Sequence, residues 1–597
     1  MSTLRLLALA GALLLALAAP AAAKPKHHKH HKHKDVKVQL LALNDFHGNL
    51  QTSTTGGIRL DPPPVQPAPP APPVPTTRPA GGAAILGSYV RELERRNRNS
   101  LLVSAGDLIG ASPLVSALYH DEPTIEAMNL LGLDLNAVGN HEFDEGEDEL
   151  KRMQRGGCHA EDGCETGHTF QGSDFKFLAA NVIRKDDAKT LFRPYVIRRF
   201  QGKKVGFIGM TLEGTPSIVS PSGIANLQFL DEAATANRYA RELRRKHGVK
   251  AIVVLLHEGG AQSTPFNTNP ASYTGCVGFT GPIVDIVSNT TDDVDLFITG
   301  HTHQPYDCVI DGRPVTSSSS AGRLLTDIDL TIGRNDDIKD VHATNIPMYV
   351  DGRTPHQRVD ELVRFYEERS RPLRETVVGR IARSITRDAD PDLSRENALG
   401  NLIADAQLAD TAAPERGAAV GALMNPGGVR ADLAFARSGS QAEDGIVTYE
   451  EAFTVQPFNN LVTTQTFTGQ QFLDVLKDQW CGSAAVNVLL PSSTIRYTWD
   501  QSIADSIVNQ PCAGAANPVS NVTIGGVALD PAASYRITTN NFLADGGDGF
   551  PSLTAGTNRT TLPEGRFDID SLVDYLQPSI AGAPIEPPAL DRITRIP

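Results

Sequence analysis

Five short polar clusters, each placed directly after an apolar run, constrain this sequence more than any other feature. They occupy residues 44–48, 106–107, 139–144, 257–259 and 300–303. In an open α/β sheet, ligands bind beyond the carboxyl ends of the strands, where side chains from neighbouring strands meet. We therefore expect these clusters to converge on one functional site at the edge of a sheet.

The apolar runs alternate with helical patterns, which is typical of an α/β fold. The runs cover residues 36–43, 101–104, 175–181, 205–209, 251–256 and 296–299, and the helical stretches cover 83–96 and 231–247. A chain of 597 residues is long enough for more than one domain. After a charged helical segment, the chain contains more Thr, Ser and Asn. The predicted units are a first domain over residues 36–350, a linker helix over 351–375 and a second domain over 376–597.

The polar clusters supply carboxylate, imidazole and amide donors but no thiolate. The candidate metal ligands are Asp45, His47, Asp107, Asn140, His257, His301 and His303. Imidazole and carboxylate together suit zinc, manganese or iron, and seven donors are too many for one ion. They fit two divalent cations, with zinc or manganese favoured, about 3.5–4 Å apart and bridged by one carboxylate. Such a pair can clamp a phosphoryl group and generate a hydroxide for in-line attack. Any one cluster alone has a structural explanation, so the inference depends on all five.

Two motifs in the second domain contain the residue types of a nucleotide site. Residues 425–430 form a glycine turn with an Asn and an Arg, and residues 540–550 combine a Phe, an Asp and a glycine-rich loop. Arg binds phosphate oxygens bidentately, and two aromatic faces, here Phe458 and Phe542, can enclose a base. The structural alternatives are a tight turn with a surface Arg and a pair of core phenylalanines.

Taken together, these motifs resemble those of the calcineurin-like metallophosphoesterases. More narrowly, they resemble secreted bacterial 5'-nucleotidases, 2',3'-cyclic phosphodiesterases and UDP-sugar hydrolases. The motifs are Asn44-Asp45-Phe46-His47-Gly48-Asn49, Gly106-Asp107, Gly139-Asn140-His141-Glu142-Phe143-Asp144 and Gly300-His301-Thr302-His303. The resemblance covers the chain from about Val36 to its end. It implies a four-layer α/β/β/α sandwich and a smaller C-terminal α/β domain that binds the nucleoside, with the site between them.

The resemblance also implies a role for each residue. Asp45, His47, Asp107 and His303 would hold one metal, and Asp107, Asn140, His257 and His301 would hold the other. His141 would be catalytic, contacting the phosphoryl group or the leaving oxygen, with Asp144 orienting its ring. Phe458 and Phe542 would stack on the base, Asn541 and Asp548 would contact the nucleoside, and Arg395, Asn425, Gly428 and Arg430 would bind phosphate. The chain departs from the family pattern just before Arg395, where Asp392 and Leu393 stand near the place of a further Arg.

The N-terminus has the pattern of a secretory signal peptide over residues 1–23. Arg5 precedes an apolar run over residues 6–19, and small residues follow it. The run is too short to span a membrane, so we expect a secreted protein, periplasmic or extracellular, without a membrane anchor. A His/Lys tract over residues 24–35 and a proline-rich insertion over 61–79 are predicted to be disordered.

The six cysteines agree with export. They form three near pairs, Cys158/Cys164, Cys276/Cys308 and Cys481/Cys512. An even, clustered set in an exported chain indicates disulfides, and buried free thiols are the alternative.

The net charge of −14 argues against a nucleic-acid polymer as partner. This net charge is compatible with a small anionic nucleotide as substrate, because bound metal ions make the site locally positive. The resemblance implies removal of phosphate from nucleoside 5'-phosphates as the activity. On the same site, 2',3'-cyclic nucleotides or UDP-sugars are alternative substrates. A different class, a non-catalytic exported metal-binding protein, would be expected to have lost ligands, and none is missing. The sequence leaves the oligomeric state open.

Overall fold

The computed structural model of the protein describes residues 35–52, 57–59, 77–263, 273–389, 395–439, 441–482, 486–508, 510–562 and 566–597. The predicted signal peptide, nearly all of the His/Lys tract and most of the proline-rich insertion lie outside these residues. Among the residues that are described, no helix is long and apolar enough to cross a membrane.

The first half of the chain alternates strands and helices. Its strands are β1 (Val36–Leu43), β2 (Gly57–Arg59), β3 (Thr77–Pro79), β4 (Ser100–Ser104), β5 (Leu135–Ala137), β6 (Lys176–Leu178), β7 (Val182–Arg184), β8 (Tyr195–Phe200), β9 (Lys203–Thr211), β10 (Leu227–Phe229), β11 (Ala251–His257), β12 (Leu296–Thr299), β13 (Pro305–Ile310), β14 (Arg313–Ser318), β15 (Leu324–Ile332) and β16 (Ile338–Pro347). Its helices are α1 (Ala83–Glu94), α2 (Leu114–Ala117), α3 (Glu122–Leu131), α4 (Gly146–Arg155), α5 (Glu232–His247) and α6 (Pro282–Ser288). The predicted strands at 36–43 and 296–299 match β1 and β12 residue for residue, and both predicted helices match within two residues.

Two six-stranded sheets stack face to face in this half, in the orders β16-β15-β1-β4-β5-β6 and β13-β14-β12-β11-β9-β8. Successive side chains of a strand point to opposite faces. Along β1, Val38 and Leu40 therefore join the core between the sheets, whereas Leu41 and Leu43 pack against helices. Helices α1 and α3 cover the outer face of the first sheet, and α5 and α6 cover that of the second. The predicted four-layer α/β/β/α sandwich is confirmed.

The orientation of the strands sets the position of the site. Strands β1, β4, β5 and β6 run parallel to one another in the first sheet. Strands β9, β11, β12 and β14 do so in the second. The carboxyl ends of each parallel set therefore lie at one edge, where loops bring polar side chains together.

A long helix, α7 (Gln357–Arg374), leads from the first half into the second. The strands of the second half are β17 (Val377–Arg380), β18 (Gly421–Met424), β19 (Ile446–Thr448), β20 (Val462–Thr468), β21 (Leu490–Pro491), β22 (Ile495–Asp500), β23 (Val519–Ile524), β24 (Val527–Ala528), β25 (Ser534–Asn540), β26 (Thr557–Thr561) and β27 (Ile593–Ile596). Its helices are α8 (Ala398–Thr411), α9 (Tyr449–Val455), α10 (Gly469–Asp478), α11 (Gln501–Ile507), α12 (Asn541–Ala544) and α13 (Asp568–Leu576). The predicted linker helix is present, and the domain boundaries at residues 350 and 376 stay predictions.

The second half is a smaller α/β unit. A five-stranded sheet has the order β21-β18-β25-β20-β26, and a four-stranded sheet has the order β24-β23-β22-β27. Its core contains Trp480 and Trp499, whose rings stack 4.1 Å apart. The two halves also share apolar packing, because Leu114 of α2 belongs to the same buried cluster as Leu402 of α8 and Leu572 of α13. A site between the halves is thus held by contacts from both.

All six cysteines are paired as the sequence predicts. Disulfides join Cys158 to Cys164, Cys276 to Cys308 and Cys481 to Cys512, and no cysteine is free. The first closes a short loop after α4, and the second ties β13 to the segment before α6.

Candidate metal centre and adjoining cavities

All seven predicted metal ligands converge at the carboxyl ends of five strands. Asp45 and His47 follow β1, Asp107 follows β4 and Asn140 follows β5. His257 is the last residue of β11, and His301 and His303 follow β12. The first three of these strands belong to one sheet and the last two to the other, so the site spans the edges of both sheets.

The side chains form one tight cluster. His257 Nε2 lies 2.9 Å from Asp107 Oδ2, and His303 Nε2 lies 3.3 Å from Asp45 Oδ1. His47 Nε2 lies 3.7 Å from Asp107 Oδ2 and 3.1 Å from His303 Nε2. Two groups of possible ligands stand out, Asp45/His47/His303 and Asp107/His257/His301. Within each group, the ligand atoms lie within 4.8 Å of one another. These are the two sets that the sequence assigns to separate ions, apart from the shared Asp107 and from Asn140.

The backbone at the cluster is held in a sparsely populated conformation. Asp45, His47, Asp107, His301 and His303 all have positive φ values, between 47° and 72°. Left-handed backbone is uncommon for residues other than glycine, and it concentrates at functional sites where the surrounding structure enforces it. Gly106 lies beside Asp107, and a Cβ there would come within 2.7 Å of His257 Nδ1. The close approach of the loops therefore requires glycine at this position.

Two buried atoms of the cluster that could bind a metal have no hydrogen-bond partner among the described residues. They are the amide oxygen of Asn140 and His257 Nε2, which is close to Asp107 Oδ2 but not aligned for a hydrogen bond. A buried polar atom without a partner is costly unless a cation or a water completes it. The opposite ring nitrogens are occupied, since His257 Nδ1 lies 2.8 Å from the Ala105 carbonyl and His47 Nδ1 lies 2.9 Å from the Gly110 carbonyl. Each carbonyl fixes the proton on Nδ1 and leaves Nε2 free to bind a metal. The residues present therefore fit divalent cations.

The charge of the cluster leads to the same conclusion. Burial opposes ionisation of Asp107, but the surrounding histidines, foremost His257, hold the pKa of its carboxyl well below the usual range. Burial alone would lower the pKa of His257, yet Asp107 and Asp45 raise it to about 10. Burial lowers the pKa of His47 to about 3 and that of His301 to about 4. Without a cation, the buried carboxylates take their positive partner from these histidines, and a bound divalent cation would take over that role.

Glu142 organises the metal loops and was not identified from the sequence. Its carboxylate accepts hydrogen bonds from the backbone N–H groups of Asp107 (2.9 Å), Leu108 (3.0 Å) and Gly139 (2.6 Å). The Asn136 side chain donates a further bond at 3.1 Å. A glutamate inside the 139–144 cluster was the available signal, but its targets are backbone groups, which no residue pattern reveals.

His141 stands at the edge of the cluster with Asp144 behind it. Its Nδ1 lies 2.7 Å from Asp144 Oδ2, and its backbone N–H donates to Asp107 Oδ1 at 2.9 Å. Burial lowers the pKa of His141, but Asp144 and Asp107 outweigh this and raise it above the ordinary value. Its Nε2 is left to face a substrate, and the favoured imidazolium suits contact with an anion.

A cavity of about 210 Å³ extends from the metal cluster into the second half, and we call it the nucleoside cavity after the ligand that the sequence predicts for it. Its lining includes the predicted site residues Asn140, His141, Asp144, His301, Asn425, Gly428, Arg430, Phe458, Phe542 and Asp548. The ring of Phe458 lies parallel to that of His141, with centroids 5.7 Å apart, and close to the guanidinium of Arg430. The cavity therefore joins the candidate catalytic histidine to both aromatic residues.

Hydrogen bonds among its own side chains order the floor of this cavity. Asn425 Nδ2 donates to Asp548 Oδ2 at 2.6 Å, and Asn540 Nδ2 donates to Asn425 Oδ1 at 3.1 Å. Burial raises the pKa of Asp548. Asn540 is fully buried and was not singled out from the sequence.

A second cavity of about 770 Å³ opens on the other side of the cluster, and we call it the arginine cavity. It is lined by His47, Asp107 and His303 from the metal side, by Arg374 at the end of α7, and by Arg387 and Arg430 from the second half. Arg374 is engaged with Glu450, at 2.8 and 2.9 Å. Within the described part of the chain, Arg387 and Arg430 have no carboxylate at ion-pair distance. Arg387 was missed because no motif surrounds it.

Two predicted substrate contacts lie apart from both cavities. Arg395 is exposed and lines neither cavity. Asn541 is absent from both linings as well, because its side-chain oxygen accepts the backbone N–H of Leu461 at 2.8 Å. Residues 218–220 and Asn460, which were not predicted, line the nucleoside cavity instead.

Comparison with known families matches the two halves separately. A family described as calcineurin-like phosphoesterase matches residues 38–305. A family described as 5'-nucleotidase, C-terminal domain, matches residues 377–555. Both matches agree with the resemblance drawn from the motifs.

Three known proteins show how far the likeness extends. Endonuclease YhcR of Bacillus subtilis is 29% identical over 91% of this chain, but the chain spans only 40% of that protein. Cell wall protein Lmo0130 of Listeria monocytogenes is 30% identical over 91% of this chain and 67% of that protein. The crystal structure of a 5'-nucleotidase precursor from Thermus thermophilus is 25% identical, with a TM-score of 0.70, and the match covers 94% of this chain and 99% of that one.

Proposed function

This chain belongs to the calcineurin-like phosphoesterases with a 5'-nucleotidase C-terminal domain, and we propose that it removes phosphate from nucleoside 5'-phosphates with two divalent cations. It is an enzyme of the 5'-nucleotidase type, a metal-dependent hydrolase of phosphoric esters. The products would be a nucleoside and inorganic phosphate.

The observation that best supports this substrate is the lining of the nucleoside cavity. Asn140 and His301, two candidate metal ligands, form one end, and Phe458 and Phe542 belong to the other half of the molecule. A nucleotide bound there would have its phosphate near the metals and its base near the two aromatic faces. Base stacking on such faces is tolerant of sequence and of base identity, so we propose no preference for one base.

We propose that Asp107 would help to hold both ions. Asp45, His47 and His303 would complete one coordination shell, and Asn140, His257 and His301 the other. When bound, the ions would neutralise the phosphoryl oxygens and activate a water for in-line displacement. Asn44 steadies this arrangement, because its amide donates to Asp45 Oδ2 at 2.6 Å and to the Ser319 carbonyl. Zinc and manganese both suit the donor set.

We propose that His141 and Arg430 also act on the phosphoryl group, because both residues line the two cavities that adjoin the metal cluster. The Asp144 carboxylate holds the proton on His141 Nδ1, so Nε2 can donate to a phosphoryl oxygen or to the leaving 5'-oxygen. Arg430 lines both cavities, and its guanidinium can bind the same phosphate. Charge developing in the transition state would be stabilised by both groups.

A second candidate substrate class is favoured by the arginine cavity. Its volume exceeds that of the nucleoside cavity, and it continues from the metal cluster past Arg387 and Arg430. A pyrophosphate with a group beyond the first phosphate, such as a UDP-sugar, would place its additional charge there. The 2',3'-cyclic nucleotides form a third class that uses the same nucleoside cavity.

Phosphate release by the purified mature protein tests these proposals. The protein would be stripped with EDTA, supplied with Mn²⁺ or Zn²⁺, and offered AMP, UMP, ATP, UDP-glucose, 2',3'-cyclic AMP and an aryl phosphate. Metal-dependent turnover with AMP and UMP favoured is the expected result. Preference for UDP-glucose or for the cyclic nucleotide would replace the substrate and retain the chemistry, whereas turnover without any metal would contradict the two-metal proposal.

We further propose export of the enzyme, because the first 23 residues have the pattern of a cleaved signal peptide. Outside the cytoplasm, it would convert nucleotides, which cross membranes poorly, into nucleosides. N-terminal sequencing of the protein from culture fractions tests this. A mature start just after residue 23 is expected, and an intact Met1 in the cytoplasmic fraction would contradict it.

A further inference from the structure

The ring of His47 is oriented by a carbonyl group that lies outside both sheets. His47 Nδ1 is 2.9 Å from the carbonyl oxygen of Gly110, in the loop between β4 and α2. The carbonyl behind His257 belongs instead to Ala105, whose own N–H donates to the Leu43 carbonyl at 3.0 Å. That bond extends the pairing of β4 with β1. The sheet therefore fixes the carbonyl behind His257, whereas the carbonyl behind His47 needs another restraint.

The backbone of the loop does not supply this restraint by itself. Gly110 and Ala111 are both left-handed, with φ of 79° and 48°. A left-handed alanine is uncommon, and it persists only where the surrounding structure holds it. A contact from outside the loop must therefore keep the Gly110 carbonyl in place.

The carboxylate of Asp121 makes that contact. Asp121 Oδ2 accepts the backbone N–H of Gly110 at 2.9 Å. This N–H and the carbonyl that faces His47 flank the same Cα, so a bond at the N–H restricts where the carbonyl can point. A short path of two hydrogen bonds thus leads from Asp121 through one residue to a candidate metal ligand.

Asp121 is itself anchored by two helices and is nearly fully buried. Its other oxygen, Oδ1, accepts the hydroxyl of Ser116 in α2 at 2.5 Å. Its backbone carbonyl accepts the N–H of Ile125 in α3 at 3.2 Å. The backbone of Asp121 is left-handed as well, with φ of 58°. Strained backbone of this kind concentrates at functional sites, which indicates a role beyond folding.

The same glycine also packs against the candidate catalytic pair. A Cβ at Gly110 would come within 2.7 Å of Asp144 Oδ2 and of His141 Cβ. Gly110 therefore lies between the His47 ring on one side and His141 and Asp144 on the other. A displacement of this loop would disturb both.

We propose that Asp121 is a positioning residue for the metal centre. Through the backbone of Gly110, its carboxylate keeps His47 Nε2 among the other ligand atoms and keeps the loop against His141 and Asp144. This inference rests on the proposed two-metal function of the site. Groups behind a ligating imidazole contribute about 10–100-fold to metal affinity or activity. Asp121 acts one hydrogen bond further back, so its effect should lie at the lower end of that range.

Three variants separate positioning from folding. Asp121→Gly removes the carboxylate, and glycine suits the left-handed backbone at this position. Asp121→Asn is the conservative variant, because its amide oxygen can accept the Gly110 N–H and asparagine tolerates left-handed backbone. Asp295→Ala is the control. The Asp295 carboxylate also accepts a backbone N–H, from Ile252 at 2.8 Å, but it does so at the amino ends of β11 and β12, away from the metal cluster.

Binding of Mn²⁺ to each mature protein measures the effect without reference to activity. Electron paramagnetic resonance of the free aqueous ion gives the Kd of each bound ion. The His/Lys tract is common to all four chains, and nitrogen ligands bind Mn²⁺ more weakly than Zn²⁺. The thermal midpoint of each metal-free protein is measured alongside, together with kcat and KM for AMP at saturating Mn²⁺.

We expect Asp121→Gly to raise the Kd of one of the two ions by about 10-fold and to leave the other Kd unchanged. The thermal midpoint of the metal-free variant should equal or exceed that of the wild type. Its kcat should fall while KM for AMP is unchanged, because the contacts of the second half are untouched. Asp121→Asn should lie closer to the wild type, and Asp295→Ala should change only the midpoint.

Two results would overturn the inference alone. One is equal Kd values in Asp121→Gly and the wild type. The other is weaker binding of both ions together with a lower midpoint, which is what a purely structural residue would give. Fewer than two bound ions in the wild type would contradict the two-metal function and this inference with it, so the two failures are distinguishable.

Discussion

The two halves of the candidate active site are built in opposite ways. In the first half, five of the seven candidate ligands have left-handed backbone, and buried donor atoms of His257 and Asn140 have no hydrogen-bond partner among the described residues. In the second half, Asn425, Asn540 and Asp548 already bond one another, and Phe458 and Phe542 are half-buried. The metal side is therefore incomplete until cations bind, whereas the substrate side is complete without them.

This difference suggests a division of labour. Strained backbone and unpartnered polar atoms on the metal side would be compensated by bound cations, which serve every phosphate ester in the same way. Stacking surfaces on the substrate side discriminate among esters by what is attached to the phosphate. Changes on the metal side should lower all activities together, and changes on the substrate side should alter their ranking.

The largest effect should come from loss of the metal bridge. Asp107→Asn, or treatment of the wild type with EDTA, should reduce kcat/KM by at least ~10³-fold, because several kcal/mol of transition-state stabilisation are lost. The activities toward AMP and ribose 5-phosphate should fall by the same factor, because both substrates carry the phosphate on the same primary 5'-oxygen. A fall confined to AMP would mean that Asp107 serves substrate binding.

Loss of the candidate acid is expected to be the next largest effect. His141→Ala should reduce kcat by about 10²-fold while both catalytic metals stay bound, because only the contact to the phosphoryl group is removed. Kinetics and metal analysis on the same preparation check this. If the metal content falls as well, His141 is a ligand, and the proposed assignment of the cluster is wrong.

Phe458 connects the metal side and the substrate side, because its ring stacks on His141 and lies near Arg430. A change at this residue should therefore affect both base binding and catalysis. Phe458→Leu should raise KM for AMP by about 5-fold or more, from the loss of ~1 kcal/mol or more of base stacking. It should also lower kcat by a few-fold for both AMP and ribose 5-phosphate through His141. An unchanged KM for AMP would place the base elsewhere.

The smallest expected effect is on the pH dependence of stability, and it arises from a buried acid in the second half. At the candidate ligands Asp45 and Asp107, neighbouring histidines outweigh burial and hold the carboxyl pKa low. Away from the ligands burial prevails, and it raises the pKa of Glu142 and, in the second half, that of Asp568 to about 7. Between its ordinary pKa of 3.8 and about 7, the folded protein keeps a proton that the unfolded chain releases. The stability contributed by Asp568 is therefore lost as pH rises through this window.

Asp568→Asn should flatten that pH dependence. The fall in thermal midpoint between about pH 5 and about pH 8 should be smaller in this variant than in the wild type, by about 2 °C or more. Asp505→Asn, at an exposed acid of α11, serves as the control. Parallel pH profiles for all three proteins would show that Asp568 is ionised in the folded state.

The metal side of the site was predictable from sequence for a physical reason. Buried parallel strands are continuous apolar runs, so their ends are visible, and polar residues directly after several ends must meet at one edge. β1 and β12 were therefore located without error, and Asp45, His47, His301 and His303 were placed with them.

The substrate side was harder, because its contacts depend on pleat and on distant backbone. Asn540 is the last residue of β25 and faces inward to Asn425, whereas Asn541, one position later, faces Leu461. The strand ends at Asn540 and α12 begins at Asn541, so the two side chains diverge, and the sequence alone did not locate that boundary. Glu142 and Arg387 act through backbone groups and long-range packing.

The most direct test of the division of labour is one ratio, that of kcat/KM for AMP to kcat/KM for ribose 5-phosphate. Ribose 5-phosphate carries a hydroxyl at C1 where AMP carries the base. The ratio therefore separates base recognition from phosphoryl transfer. It should be measured in the wild type, in His141→Ala and in Phe542→Ala. We expect the same ratio in the wild type and in His141→Ala, and a ratio lower by about 5-fold or more in Phe542→Ala. A ratio that changes in His141→Ala and stays constant in Phe542→Ala would contradict the account.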